Sequence, residues 1–213
     1  MNILVIAAHM DDECFMGGTI AKHVSMGNAV HVLFLTDSCS SQYPGNADVL
    51  GKKYDECNAA SKILGTTFDL LMLLDMKLDT VPHVELNNAL CAQINIIKPQ
   101  IIYTHWRGDL NKDHCIAYES TMVVCRPMSG VKMVLCYEIP GSTEWGEGFW
   151  PNYYVDITDT WDKKVKALSC YETEMRDFPH PRSIKNIKDM ACKRGTEVFV
   201  KKAEAFVLIR RIV

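Results

Sequence analysis

Apolar residues run almost unbroken from Ile3 to Ala8 and then stop at His9-Met10-Asp11-Asp12-Glu13. A continuous apolar run of this length suits a strand covered on both faces. The same signature recurs at 30–36, 68–74, 100–104 and 132–139. Helical spacing fills the intervals. A helix from Gly17 ends near Gly27, and another spans 49–64 and closes at Gly65. A third spans 83–97 and is broken by Lys98-Pro99, and a fourth spans 113–125. Residues 140–151 read as a loop, 158–175 and 183–193 as helices, and 197–200 and 206–209 as short closing strands. Strand and helix alternate through most of the chain, with no repeat and no low-complexity tract. That order predicts an α/β domain with a mainly parallel sheet and helices on both faces.

The chain of 213 residues suits one domain over 1–213 with a substantial core. Its net charge of -3 offers no polybasic surface, so nucleic acid and anionic lipid are not expected partners. Nine scattered cysteines, none in a C-x-x-C pair, suit reduced side chains in a cytoplasmic setting. The first apolar segment is short and lacks a basic flank, so it reads as a strand rather than a signal peptide. No transmembrane segment is expected.

Candidate chemistry gathers at two strand ends. His9-x-Asp11-Asp12-Glu13 follows the first strand, and His105 with Asp109-Leu110-Asn111-Lys112-Asp113-His114 follows the strand ending at Thr104. Either cluster alone is equally readable as helix capping. Two clusters at one carboxyl edge would bring His9, Asp12 and His114 together. Two imidazoles and a carboxylate, with a fourth position open, form the usual donor set of a catalytic zinc. Asp11 would then be placed to take a proton from water.

These motifs resemble those of the PIG-L (LmbE-like) zinc-dependent N-deacetylases. His9-Met10-Asp11-Asp12-Glu13 is similar to that family's A-H-P-D-D-E signature, and the stretch ending Asp113-His114 to its second motif. The similarity continues in Glu56, Ala59-Ala60, Leu64-Gly65, Asp75, Lys98-Pro99, Asp156-Ile157-Thr158 and Lys164. The resemblance implies a Rossmann-like fold, with zinc or another divalent metal on His9, Asp12 and His114. It implies Asp11 as general base and Asp113 as the residue that orients an imidazole. The substrate implied is an N-acetylglucosamine-type amino sugar or sugar conjugate, which loses its acetyl group.

Three positions depart from the family. Met10 replaces a proline. Lys53 stands where many members carry an arginine at the substrate, and keeps the charge without the bidentate fork. Asn111 stands where some relatives have a histidine acid, and an amide cannot protonate a leaving amine. His180 and His105 are the substitutes. Lys53, Asn111 and His105 are thus expected near the substrate and His180 in catalysis. Trp145 and Trp150 lie in a loop that suits a sugar-stacking face, a hydrophobic cover or the contact of a homo-oligomer equally well. Two other functions fit the same residues: a sugar- or nucleotide-sugar-binding protein without turnover, and a metal-dependent hydrolase of another N-acyl amide.

Overall fold

Strand β1 (Asn2–Ala7) lies inside a seven-stranded sheet of order β3-β2-β1-β4-β5-β7-β6, described by a computed structural model covering residues 1–213. Its side chains alternate across the sheet, as strand geometry requires. Ile3, Val5 and Ala7 enter a core of 25 buried residues on one face. Leu4 and Ile6 enter a core of 15 on the other. Both faces are covered, which explains the unbroken apolar run.

β1 pairs in parallel with β2 (Ala29–Thr36) and with β4 (Ile101–His105). β3 (Thr67–Leu73) extends one side in parallel and β5 (Met133–Tyr137) the other. The order reverses between β1 and β4, and such a switch point opens a crevice beyond the carboxyl ends of the strands. Both polar clusters emerge there.

The crossover helices are α1 (Gly17–Ser25), α2 (Ala47–Leu64), α3 (His83–Ile97) and α4 (Lys112–Val124). Capping defines their ends. Asn46 accepts from the backbone N–H groups of Asp48 and Val49 ahead of α2, and Gly65 closes that helix at φ 79°. Asn111 caps α4 by accepting from the N–H of Asp113 at 2.9 Å.

The final third differs from the pattern read in the sequence. β6 (Tyr153–Asp156) is a half-exposed edge strand that the sequence reading left unassigned. It pairs antiparallel with β7 (Ala203–Arg211), and β7 pairs antiparallel with β5. Residues 197–200 are not a strand: Phe199 is fully exposed at φ 62°. The helix expected over 158–175 is shorter, α5 (Trp161–Leu168). It stops because the chain turns inward, where the Tyr171 hydroxyl donates to Glu13 and Thr173 binds Glu56. α6 (Ile184–Thr196) follows, capped by Ser183. All nine cysteines are free, and no helix is long and apolar enough to cross a membrane.

Candidate metal centre and its cleft

The loop after β1 turns sharply into a short 3-10 turn, Asp12–Met16, that leads into α1. Asp11 sits at the turn with φ 147°, a backbone conformation costly for any residue but glycine. The turn drives Asp12 inward to full burial and leaves His9 and Asp11 on the cleft wall. β4, the loop after it and the first turn of α4 bring His105, Asp109, Asp113 and His114 to the same place.

Three donor atoms converge. His9 Nδ1 lies 3.2 Å from Asp12 Oδ2 and 3.2 Å from His114 Nε2, and His114 Nε2 lies 3.5 Å from Asp12 Oδ2. Donors about 2.1 Å from a tetrahedral metal stand about 3.4 Å apart, so the spacing fits a divalent cation. The buried oxygen Asp12 Oδ1 has no hydrogen-bond partner, which fits the same conclusion. Backing carboxylates complete the arrangement. Asp109 Oδ1 stands 3.1 Å from His114 Nδ1, while Asp75 and Asp113 stand 3.3 and 3.4 Å from His9 Nε2. Each imidazole therefore has an acid on the nitrogen that faces away from the donor cluster, an arrangement that fixes tautomer and ring orientation at metal sites.

Asp113 is held in turn by the backbone N–H groups of Met76 and Leu78, at 2.8 and 3.1 Å. Asp109 accepts from Ser142 and Thr143, which ties the loop after β5 to the site. Gly146 in that loop approaches the Gly108 carbonyl so closely that a Cβ would overlap it. The charges are mutually dependent. Burial opposes ionisation of Asp12, yet His114, His105 and His9 hold its carboxyl well below the usual range. Burial likewise opposes protonation of His9, and Asp12, Asp113 and Asp75 together outweigh it. Burial pushes the Asp11 carboxyl up to about 7 against the pull of Arg182.

His105 is not where substrate could meet it. It is fully buried beneath Asp12, stacked on His114 at 4.0 Å between ring centroids, and its Nε2 accepts from the N–H of Ala8 at 2.9 Å. Burial and that hydrogen bond remove it from the candidates for substrate contact and for the acid. Above the donors opens a cleft of about 780 Å³ whose wall includes His9, Asp11, Lys53, Asn111, His180 and Arg182. Only 5 of its 21 lining residues are hydrophobic, a polar surface suited to a hydroxyl-rich ligand. His180 is exposed, and its Nδ1 accepts from the N–H of Arg182 at 3.1 Å, which leaves Nε2 as the donor in the neutral ring. Lys53 forms an ion pair with Glu174. Trp145 and Trp150 are exposed but do not border the cleft.

The sequence reading missed Arg182 and Glu174. Arg182 Nη1 lies 2.7 Å from Asp11 Oδ2 and 2.7 Å from Glu174 Oε2. An arginine in a loop behind Pro-His-Pro gives no periodic signal, and only the tertiary fold brings it to Asp11.

A doubly covered α/β sheet with a His/Asp donor set at its switch point defines a class, the Rossmann-like metal-site enzymes. Comparison with known proteins narrows it. The sequence profile of the PIG-L family, described as GlcNAc-PI de-N-acetylase, matches residues 4–125, more than half of the chain. The chain belongs to the PIG-L family. It is 30% identical to the uncharacterized deacetylase YaiS of Escherichia coli over 150 residues, 66% of this chain and 75% of that one. It is 27% identical to the 4-oxalmesaconate hydratase of Pseudomonas putida over 194 residues, 79% of this chain and 72% of that one. The solved N,N'-diacetylchitobiose deacetylase of Pyrococcus horikoshii superposes with a TM-score of 0.78 at 21% identity, covering 98% of this chain and 84% of that one.

Proposed function

We propose that the protein is a zinc-dependent N-deacetylase acting on an N-acetylglucosamine-type amino sugar or its conjugate. The observation that carries the reading is the donor triad with a carboxylate behind each imidazole, opening on a polar cleft. His9, Asp12 and His114 would hold the metal. A divalent ion there supplies Lewis acidity to an amide carbonyl and makes water more acidic. Asp11, the unligated acid on the cleft wall, takes the proton of the attacking water on its carboxylate. Asp113 and Asp109 keep the His9 and His114 rings in place. Asp11 then passes the water's proton to the departing amine, since Asn111 has none to give at neutral pH. The Nε2–H of neutral His180 hydrogen-bonds the reacting acetamide from the cleft wall. Asn111 acts as the cap of α4, with its amide edge on the cleft.

The test is acetate release from a panel of N-acetyl sugars and N-acyl amino acids, with water addition to an unsaturated polycarboxylate as a separate arm. The hydratase among the relatives makes that arm necessary. Wild-type protein should release acetate. Asp11→Asn should keep its metal and lose about 10²–10⁴-fold in kcat, the range of a general base. Undiminished turnover in Asp11→Asn would rule out its role as base. Water addition without acetate release would replace the deacetylase reading with the hydratase one, and bound metal with no turnover in any arm would favour a binding protein.

A further inference from the structure

The cleft wall carries a row of alternating charges that ends on Asp11 and whose other members the chemistry above leaves unused. Lys53 on α2 is paired with Glu174, Glu174 Oε2 accepts from Arg182 Nη1 at 2.7 Å, and the same nitrogen donates to Asp11 Oδ2 at 2.7 Å. Its two middle members, Glu174 and Arg182, are anchored through their chain neighbours. Glu56 accepts from the backbone N–H and the hydroxyl of Thr173, the residue before Glu174, at 3.0 and 2.6 Å. Asn186 Nδ2 donates to the carbonyl of Pro181, the residue before Arg182, at 2.8 Å. The Arg182 guanidinium also lies over the Phe15 ring at 5.7 Å.

We propose that Lys53, Glu174 and Arg182 form a positioning relay that fixes the carboxylate of Asp11 for proton transfer, with Arg182 as the member in contact. This rests on Asp11 being the base. Arg182 is the only side chain that donates a hydrogen bond to Asp11. A forked, two-point arginine contact would occupy both carboxylate oxygens. Here a single nitrogen engages Oδ2, so the carboxylate is oriented while Oδ1 stays free to receive a proton. Orientation matters at this residue because its backbone is strained, with φ 147°. The relay also gives Lys53 a role different from the one expected of it. Only 8% of its side chain is exposed, and its ammonium is engaged by Glu174, so it acts on Asp11 through two neighbours and not by touching substrate.

The relay predicts a split between rate and binding. In the metal-loaded enzyme, Arg182→Ala should lower kcat about a hundredfold, the scale of a small misplacement of a reacting group, with KM within about threefold. Added guanidinium ion should restore part of that rate, which a merely structural residue would not allow. Arg182→Lys guards against a folding defect in the alanine variant. It keeps the charge, loses the planar donor, and should fall between the two. A second readout needs neither metal nor turnover. Urea unfolding of the metal-free chain should show Arg182→Ala and Asp11→Asn to be non-additive, as contacting partners are. Wild-type kcat in Arg182→Ala, a loss confined to KM, no rescue by guanidinium, or strict additivity in the unfolding cycle would each overturn the relay. Absence of acetate release from wild-type protein would instead count against the deacetylase reading, and the unfolding cycle would still decide whether Arg182 holds Asp11.

Discussion

His114 shows how one side chain becomes usable chemistry. Its Nε2 faces His9 and Asp12, and its Nδ1 faces Asp109 at 3.1 Å. A neutral imidazole that keeps its proton on the Asp109 side presents a lone pair at Nε2, the form a metal requires. Asp109→Asn should therefore weaken metal affinity by about 10–100-fold while the chain remains folded, as a chelator competition would show. An affinity equal to wild type would mean that the ring is held by packing on His105 alone. The sequence disclosed His9, Asp12 and His114 because strand ends in a parallel sheet share one edge. Asp109 was visible only as a motif letter. Its contact with His114 depends on a local turn in which Asp109 accepts from the N–H of Asn111, and on Ser142 and Thr143 from the loop after β5, which no periodicity encodes. His105 was misplaced for a related reason: as the last residue of β4 it points below the edge, not into the cleft.

At the scale of elements, β7 does more than close the sheet. Glu204 on β7 accepts from the backbone N–H groups of Gly18 and Thr19 at 3.0 and 2.7 Å, at the start of α1. It also accepts from Lys164 of α5 at 2.6 Å, and Lys164 donates to the Phe15 carbonyl in the turn that carries Asp12. Both side chains are buried. A carboxylate at a helix start is favourable, and this one ties two late elements to the metal loop. Glu204→Gln leaves the Lys164 charge uncompensated and should cost about 3–5 kcal/mol in urea unfolding. Adding Lys164→Met should recover part of that loss. A Glu204→Gln variant as stable as wild type would show that the pair is incidental to the fold. The pairing was not legible in sequence. Lys164 matched a family position, but its partner lies 40 residues away on a strand whose antiparallel direction the alternation rule does not predict. β6 escaped for a simpler reason: Tyr153 to Asp156 is a short, half-exposed edge strand after a proline, with no buried run to mark it.

For the molecule as a whole, the family profile and the site divide the chain unequally. Residues 4–125 carry every donor and the acids behind the two histidines. The remainder supplies Glu174, His180 and Arg182 to the cleft wall, together with the clamp on α1. The half matched by the family thus holds the donor set and most of the cleft wall, while the other half adds the arginine that contacts Asp11. Relatives named as a deacetylase and a hydratase match this one chain, so the reaction is decided by the site and not by the fold. Everything rests on the donor triad. Quantifying divalent metal bound per chain after zinc loading and dialysis, in wild type and in Asp12→Ala, tests it most directly. A single tightly held ion is expected in wild type and none in a folded Asp12→Ala, whereas equal metal content in the two would rule out the triad as the metal site.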